Sequence, residues 1–121
     1  MVKRGRVMTT TIQRFVSETQ LTVAATNLIT TNTSERKFIG KFTLTNTSSS
    51  NVEVTLWAIA TATTATTGSG GNWTFRETIP AGVTMTVDKL QGHILNPSQA
   101  IKGLADTGAV INVDVSGTTQ T

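Results

Sequence analysis

Apolar and polar residues alternate with a period of two along much of this chain. In KFIGKFTLTN, Phe38, Gly40, Phe42 and Leu44 fall on one face while Ile39, Lys41, Thr43 and Thr45 fall on the other, the spacing of a strand with one face in a core. Gly40 in this run marks a bulge or the close approach of a neighbouring backbone. In VEVTLWAIA, Val52, Val54, Leu56 and Ala58 form one face and Glu53, Thr55, Trp57 and Ile59 the other, a register that displays Trp57 and Ile59 opposite the core. NWTFRETIP sets Trp73, Phe75, Glu77 and Ile79 on one side, and VTMTVDKL continues through Val83, Met85 and Val87. In AVINVDVSG, Ile111, Val113 and Val115 oppose Val110, Asn112 and Asp114, and QLTVAATNLITTN adds one or two strands.

Turn chemistry separates these runs. Residues 46–51, NTSSSN, carry side chains able to hydrogen-bond their own backbone. Pro80-Ala81-Gly82 supplies a fixed φ and then a permissive residue. Asn96-Pro97-Ser98-Gln99 and Asp106-Thr107-Gly108 read as further turns, and TATTATTGSGGN, residues 61–72, as a protruding loop. About eight short strands with turn signals roughly 8–12 residues apart predict an all-β protein, an antiparallel, jelly-roll-like β-sandwich. Residues 1–18 show neither clean periodicity nor punctuation. They read as an extended N-terminal arm preceding a sandwich domain over residues 19–121.

Composition agrees with this architecture and narrows the chemistry. Charged residues make up 14% of the chain, against roughly 25% in soluble domains, and threonine is abundant. Its β-branched side chain suits a pleated, half-buried surface. The absence of cysteine removes disulfides, thiol nucleophiles and Cys-based zinc sites. His93 is the sole histidine and reads as a strand-end residue, while the seven acids are scattered singly. Glu77 and Asp88 flank one predicted hairpin but make a poor acid/base pair. Asp106 and Asp114 lack the spacing of a calcium loop. Gly68-Ser69-Gly70-Gly71 lacks the ending of a phosphate-binding loop and opens no helix. The chain is therefore read as a non-enzyme, with no catalytic, cofactor-binding or metal-binding residues. No run approaches the ~18 apolar residues of a membrane span, and the stretch after the basic start lacks the apolar core of a signal peptide.

The charge distribution gives the arm its interest. Lys3, Arg4, Arg6 and Arg14 lie in the first fourteen residues without an acid, whereas the remainder sets six cations against seven acids. The net charge of +3 thus belongs to the arm. As a nucleic-acid tail it would neutralise about four phosphates with no interleaved aromatic except Phe15, which argues against direct nucleic-acid binding. As an extended clamp, about 18 residues reach roughly 60 Å at ~3.3 Å each, enough to cross a neighbouring subunit and add a strand there. Lys3, Arg4, Arg6, Arg14 and Phe15 are the candidate partner-binding residues of the arm. Trp57 and Ile59 are candidate contact residues on the body.

The segments FTLTNTSSSNVEVTLWAIA, TIPAGVTMTVDKL and ILNPSQAIKGLADTGAVINVDVSG resemble the small β-sandwich structural proteins of tailed-bacteriophage virions. Their shared pattern is an N-T-S turn between strands, an I-P-A-G turn, and an L-N-P-G-D-x-I element before a final A-V-x-V-x-V-S-G strand. It covers residues 20–117; Ser98-Gln99 stand where Gly-Asp is usual, and the arm lies outside it. The resemblance implies a virion protein of the cement or decoration type, made in the host bacterial cytoplasm and placed on the phage head surface. Its partners would be the major capsid protein and further copies of itself in a small homo-oligomer, a trimer by preference. The alternative is a tail, neck or fibre component, including an adhesion module that binds carbohydrate through Trp57 or residues 61–72.

Overall fold

Threonine-rich alternating segments pair in nested fashion in the computed structural model, which describes residues 9–60 and 75–121. The strands are β1 (Thr10–Gln20), β2 (Thr26–Thr30), β3 (Arg36–Asn46), β4 (Val52–Ala60), β5 (Phe75–Ile79), β6 (Thr84–Thr86), β7 (Ile94–Leu95), β8 (Gln99–Ala105) and β9 (Ile111–Gln120), with one 3-10 turn at Asp88–Leu90. The first sheet runs β1-β9-β3-β6, with β7 also on β3, and the second runs β2-β8-β4-β5. Each of β1·β9, β2·β8, β3·β6, β3·β7 and β4·β5 is antiparallel. With β6 and β7 taken as one split strand, only β4 and β5 follow each other within a sheet. That is a long hairpin wound into two layers, the jelly-roll order, and it bears out the fold predicted from the sequence.

The core lies between the sheets. Ile111, Val113 and Val115 of β9, the central strand of the first sheet, are fully buried, as are Val52, Val54 and Leu56 of β4 facing them from the second. These are the inward positions that the period of two assigns. Strand β3 departs from its predicted faces. Ile39 pairs with Gly117 and Lys41 with Ser116, so Gly40 is an extra residue, a bulge that reverses the alternation. Ile39 is buried together with Phe42 and Leu44, and Phe38 is turned outward. Gly40 was legible as a bulge signal; the face of Phe38 was not, because parity counted straight through it.

Residues 10–18 belong to the body. Strand β1 pairs with β9 from Thr10 to Gln20, with irregularities between Arg14 and Val16 and between Val16 and Thr19. Two bulges within one strand destroy the period that a sequence reader needs, which is why this stretch resembles an arm. The described chain therefore places the start of the sandwich at β1 rather than at residue 19. Lys3, Arg4 and Arg6, Trp73, and the predicted loop over residues 61–72 lie outside the described residues.

Two of the turns hold a residue at positive φ, Gly82 in one and Ser98 in the other. Gly82 has a φ of 72° and the Val83 N–H donates to the Pro80 carbonyl at 3.2 Å, the arrangement of a type II turn that needs glycine third. Ser98 also occupies the left-handed region, with a φ of 60°, at the position where the resembled pattern carries glycine. The next residue braces this turn, since the Gln99 Oε1 accepts the Asn96 N–H at 2.9 Å. A non-glycine residue in this region costs about 1–3 kcal/mol, of which glycine returns part through its freer unfolded chain. Ser98→Gly is expected to raise stability by about 0.5–1 kcal/mol, read as a higher urea midpoint at unchanged slope.

Candidate functional site

Charge and exposure concentrate on the outer face of the first sheet, where the central strand β9 has its neighbours β1 and β3. Arg14 on β1 pairs across the strands with Ser116, and Ser116 with Lys41. The Arg14 Nη2 lies 3.0 Å from the Asp114 Oδ2, with both side chains more than half exposed at 61% and 53%. Exposure on this scale limits such a pair to below about 1 kcal/mol, so it orients Arg14 more than it stabilises the sheet. Arg14, Lys41, Thr43, Asp114 and Ser116 line a shallow depression of about 220 Å³. A second depression, about 260 Å³, lies between the 33–36 turn, Pro97 and the Gln120–Thr121 end, with Glu35 and Arg36 on its wall.

Phe15 faces the other way. At the first bulge of β1 its side chain is half-buried and packs against the core. The Lys37 Nζ stands 5.3 Å from its ring centroid, within cation–π range. The same ammonium donates to the Thr30 carbonyl of β2 at 2.7 Å and approaches the Glu35 carboxylate at 3.7 Å. Lys37 thus ties the two sheets together over Phe15 at one end of the sandwich. The candidate arm residues therefore separate: Arg14 is on the exposed face, while Phe15 anchors β1 inside.

Trp57 lies on the predicted side of β4 and not in the predicted setting. It points away from the core face carrying Leu56, yet it is fully buried, and its indole Nε1 has no hydrogen-bond acceptor among the described residues. Its cross-strand partner on β8 is Lys102, 4% exposed, and Thr55 one place away on the same face is 5% exposed. The outer face of this sheet is covered there, so opposite the core does not mean displayed. Ile59 lies in β4 as well, paired through its backbone with Ala100.

For chemistry, the arrangement offers little convergence. Among the described residues, no three His, Asp or Glu side chains gather into a metal-ligand set. His93 is half-buried, and its backbone carbonyl receives the Ile39 N–H at 3.0 Å. Glu77 sits in β5 of the second sheet, while Asp88 opens the 3-10 turn whose preceding residue, Val87, bonds to Phe42 of the first. What the face does carry is the residue that reasoning from the sequence missed: Ile12, 87% exposed on the edge strand. Its only sequence signal was an isoleucine among threonines in a stretch read as an arm.

No protein-family model and no curated protein sequence matches the chain. Among solved structures, the chain is similar to the coat protein of Tobacco streak virus, at 13% identity and a TM-score of 0.45, over all of this chain and 90% of that one.

Proposed function

We propose that this chain is a virion structural protein of the cement type, held on a phage shell by contacts of its basic N-terminal end and its first sheet with the major capsid protein. The observation that carries the reading is the nested strand order: a jelly roll whose interior is filled by apolar side chains, leaving the surface and edges for work. Few charges need be desolvated on such a surface, and a modest contact suffices where symmetry repeats it many times. The basic residues Lys3, Arg4 and Arg6 precede an edge strand of that sheet directly.

One observation favours a second reading, a shell-forming subunit. Residues 10–18, expected to be free to cross a neighbour, pair instead with β9 of the same chain as part of β1. That part of the expected arm is thereby not available as a clamp across a neighbour. The two readings separate on one preparation. The protein expressed alone and viewed by electron microscopy should remain a small oligomer and add to preformed empty shells if it is a cement. Closed shells formed by this chain alone would overturn that in favour of the second reading.

Attachment to empty shells should also depend on the basic end. Deleting residues 2–6 removes Lys3, Arg4 and Arg6 and should reduce co-sedimentation several-fold, and raising salt should weaken the wild type in the same direction by screening. Binding insensitive to both would exclude the basic end as the contact.

A further inference from the structure

Four strands bring one row of apolar side chains together on the solvent side of the first sheet. Ile12 of β1 stands opposite Thr118 of β9, Thr118 opposite Phe38 of β3, and Phe38 opposite Ile94 of β7. Residues directly opposite in an antiparallel pair share a face. The face is the outer one, because Ile39 and Leu95, next along their strands, are buried. Ile12 is 87% exposed, Ile94 is 44% exposed and Phe38 is half-buried. With strands ~4.8 Å apart, the row spans about 14 Å.

Cations bracket this row on both sides. Toward one end of the sheet lies the Arg14, Ser116 and Lys41 row, and toward the other lie Thr10, Gln120 and Arg36. Arg14 is paired with Asp114, whereas Arg36 and Lys41 are exposed and have no ion-pair partner among the described residues. An apolar strip between positive rims fits a surface of the opposite pattern.

We propose that this face docks a segment of a different protein that presents apolar side chains between carboxylates; that this protein belongs to the shell rests on the reading above. Charge decides against the other occupants. Laying the apolar row of one copy along that of a second sets cations against cations whichever way the second is turned. Residues 1–8 of the chain itself carry Lys3, Arg4 and Arg6, again of the same sign. Residues 61–74 contain no carboxylate, and the strands on either side of them, β4 and β5, lie in the other sheet.

The test uses two labelled peptides, one with isoleucines flanked by glutamates and one with lysines replacing the glutamates, titrated against the full chain by fluorescence anisotropy. The acidic peptide should bind and the basic one should not. Ile12→Thr with Ile94→Thr, and separately Arg36→Glu with Lys41→Glu, should each weaken binding at least about tenfold, a difference of ~1.4 kcal/mol, at unchanged circular dichroism and unfolding midpoint. Equal binding of both peptides, no binding of the acidic one, or binding unaltered in folded variants would overturn the inference. Co-sedimentation of the same proteins with empty shells reports separately. Selective peptide binding without shell attachment would sink the virion reading and leave the docking face standing, and shell attachment unaltered in both double variants would do the reverse.

Discussion

Gly117→Ala is expected to cost about 3 kcal/mol or more of folding stability, the upper range for forcing atoms into a packed site. A Cβ at Gly117 would collide with the Phe38 carbonyl oxygen and would lie 2.9 Å from the Phe15 ring and 3.0 Å from the Gly40 nitrogen. Two of these three neighbours are backbone, which cannot rotate aside. The crowding has an identifiable origin. The register irregularity of β1 between Arg14 and Val16 falls level with Ser116 and Val115 of β9, and that of β3 between Ile39 and Lys41 falls level with Gly117 and Ser116, so the two lie one residue apart. Bulges on both flanking strands increase the local twist and draw the backbones together over Gly117. Gly40→Ala is the control, because its Cβ would meet only the Ser116 oxygen at 3.5 Å and the Gly117 Cα at 3.7 Å, ordinary contact. Urea unfolding followed by tryptophan fluorescence compares the two. A Gly117→Ala chain no less stable than Gly40→Ala would refute this account of the bulges.

The same pair of bulges explains what the sequence disclosed and what it hid. Where strands are regular, as at Ile111, Val113 and Val115, the period of two identified the buried face from residue type alone. At Gly40 the amino acid itself signalled an interruption, yet the side on which Phe38 emerges depends on whether an extra residue is inserted, a fact held in the pairing with β9. The candidate docking face follows from that one shift, since without it Phe38 would join Phe42 inside. Strand β1 was hidden more thoroughly. Its threonines and Gln13 carry little contrast between faces, and its inward anchors Phe15 and Val16 are adjacent because Phe15 is the bulged residue. Arg14 was legible as a candidate by its charge alone, but its neighbours Lys41 and Ser116 come from strands distant in sequence. Trp57 shows the opposite failure. Its face was read correctly, but alternation reports direction and not what covers that direction, and the indole is fully buried.

Asn46→Ala is expected to remove about 2–3 kcal/mol, since buried groups deprived of a hydrogen-bond partner cost ~1–3 kcal/mol each. Asn46 ends β3 in the first sheet and is fully buried. Its Nδ2 donates to the Ser50 carbonyl at 2.7 Å and to the Ile79 carbonyl of β5, in the second sheet, at 2.9 Å. Its Oδ1 accepts the Ser48 N–H at 2.9 Å and the Ser48 hydroxyl at 2.7 Å. The amide therefore uses its donors and acceptors fully, shaping the turn before β4 while stitching the sheets together. Only an amide does both. Asn46→Asp keeps the acceptor but turns a carboxylate oxygen toward two carbonyls, so at neutral pH it should be at least as damaging as alanine. Acid should discriminate between them. Protonation of that carboxylate restores one donor, so the Asn46→Asp deficit relative to wild type should shrink as pH falls through the carboxylate range, while the Asn46→Ala deficit stays constant. Parallel deficits in urea unfolding at neutral and acidic pH would mean that the two carbonyls do not depend on Asn46. The residue would then be a turn former rather than the link that holds the end of β3, and with it the outer face of the first sheet, against the second.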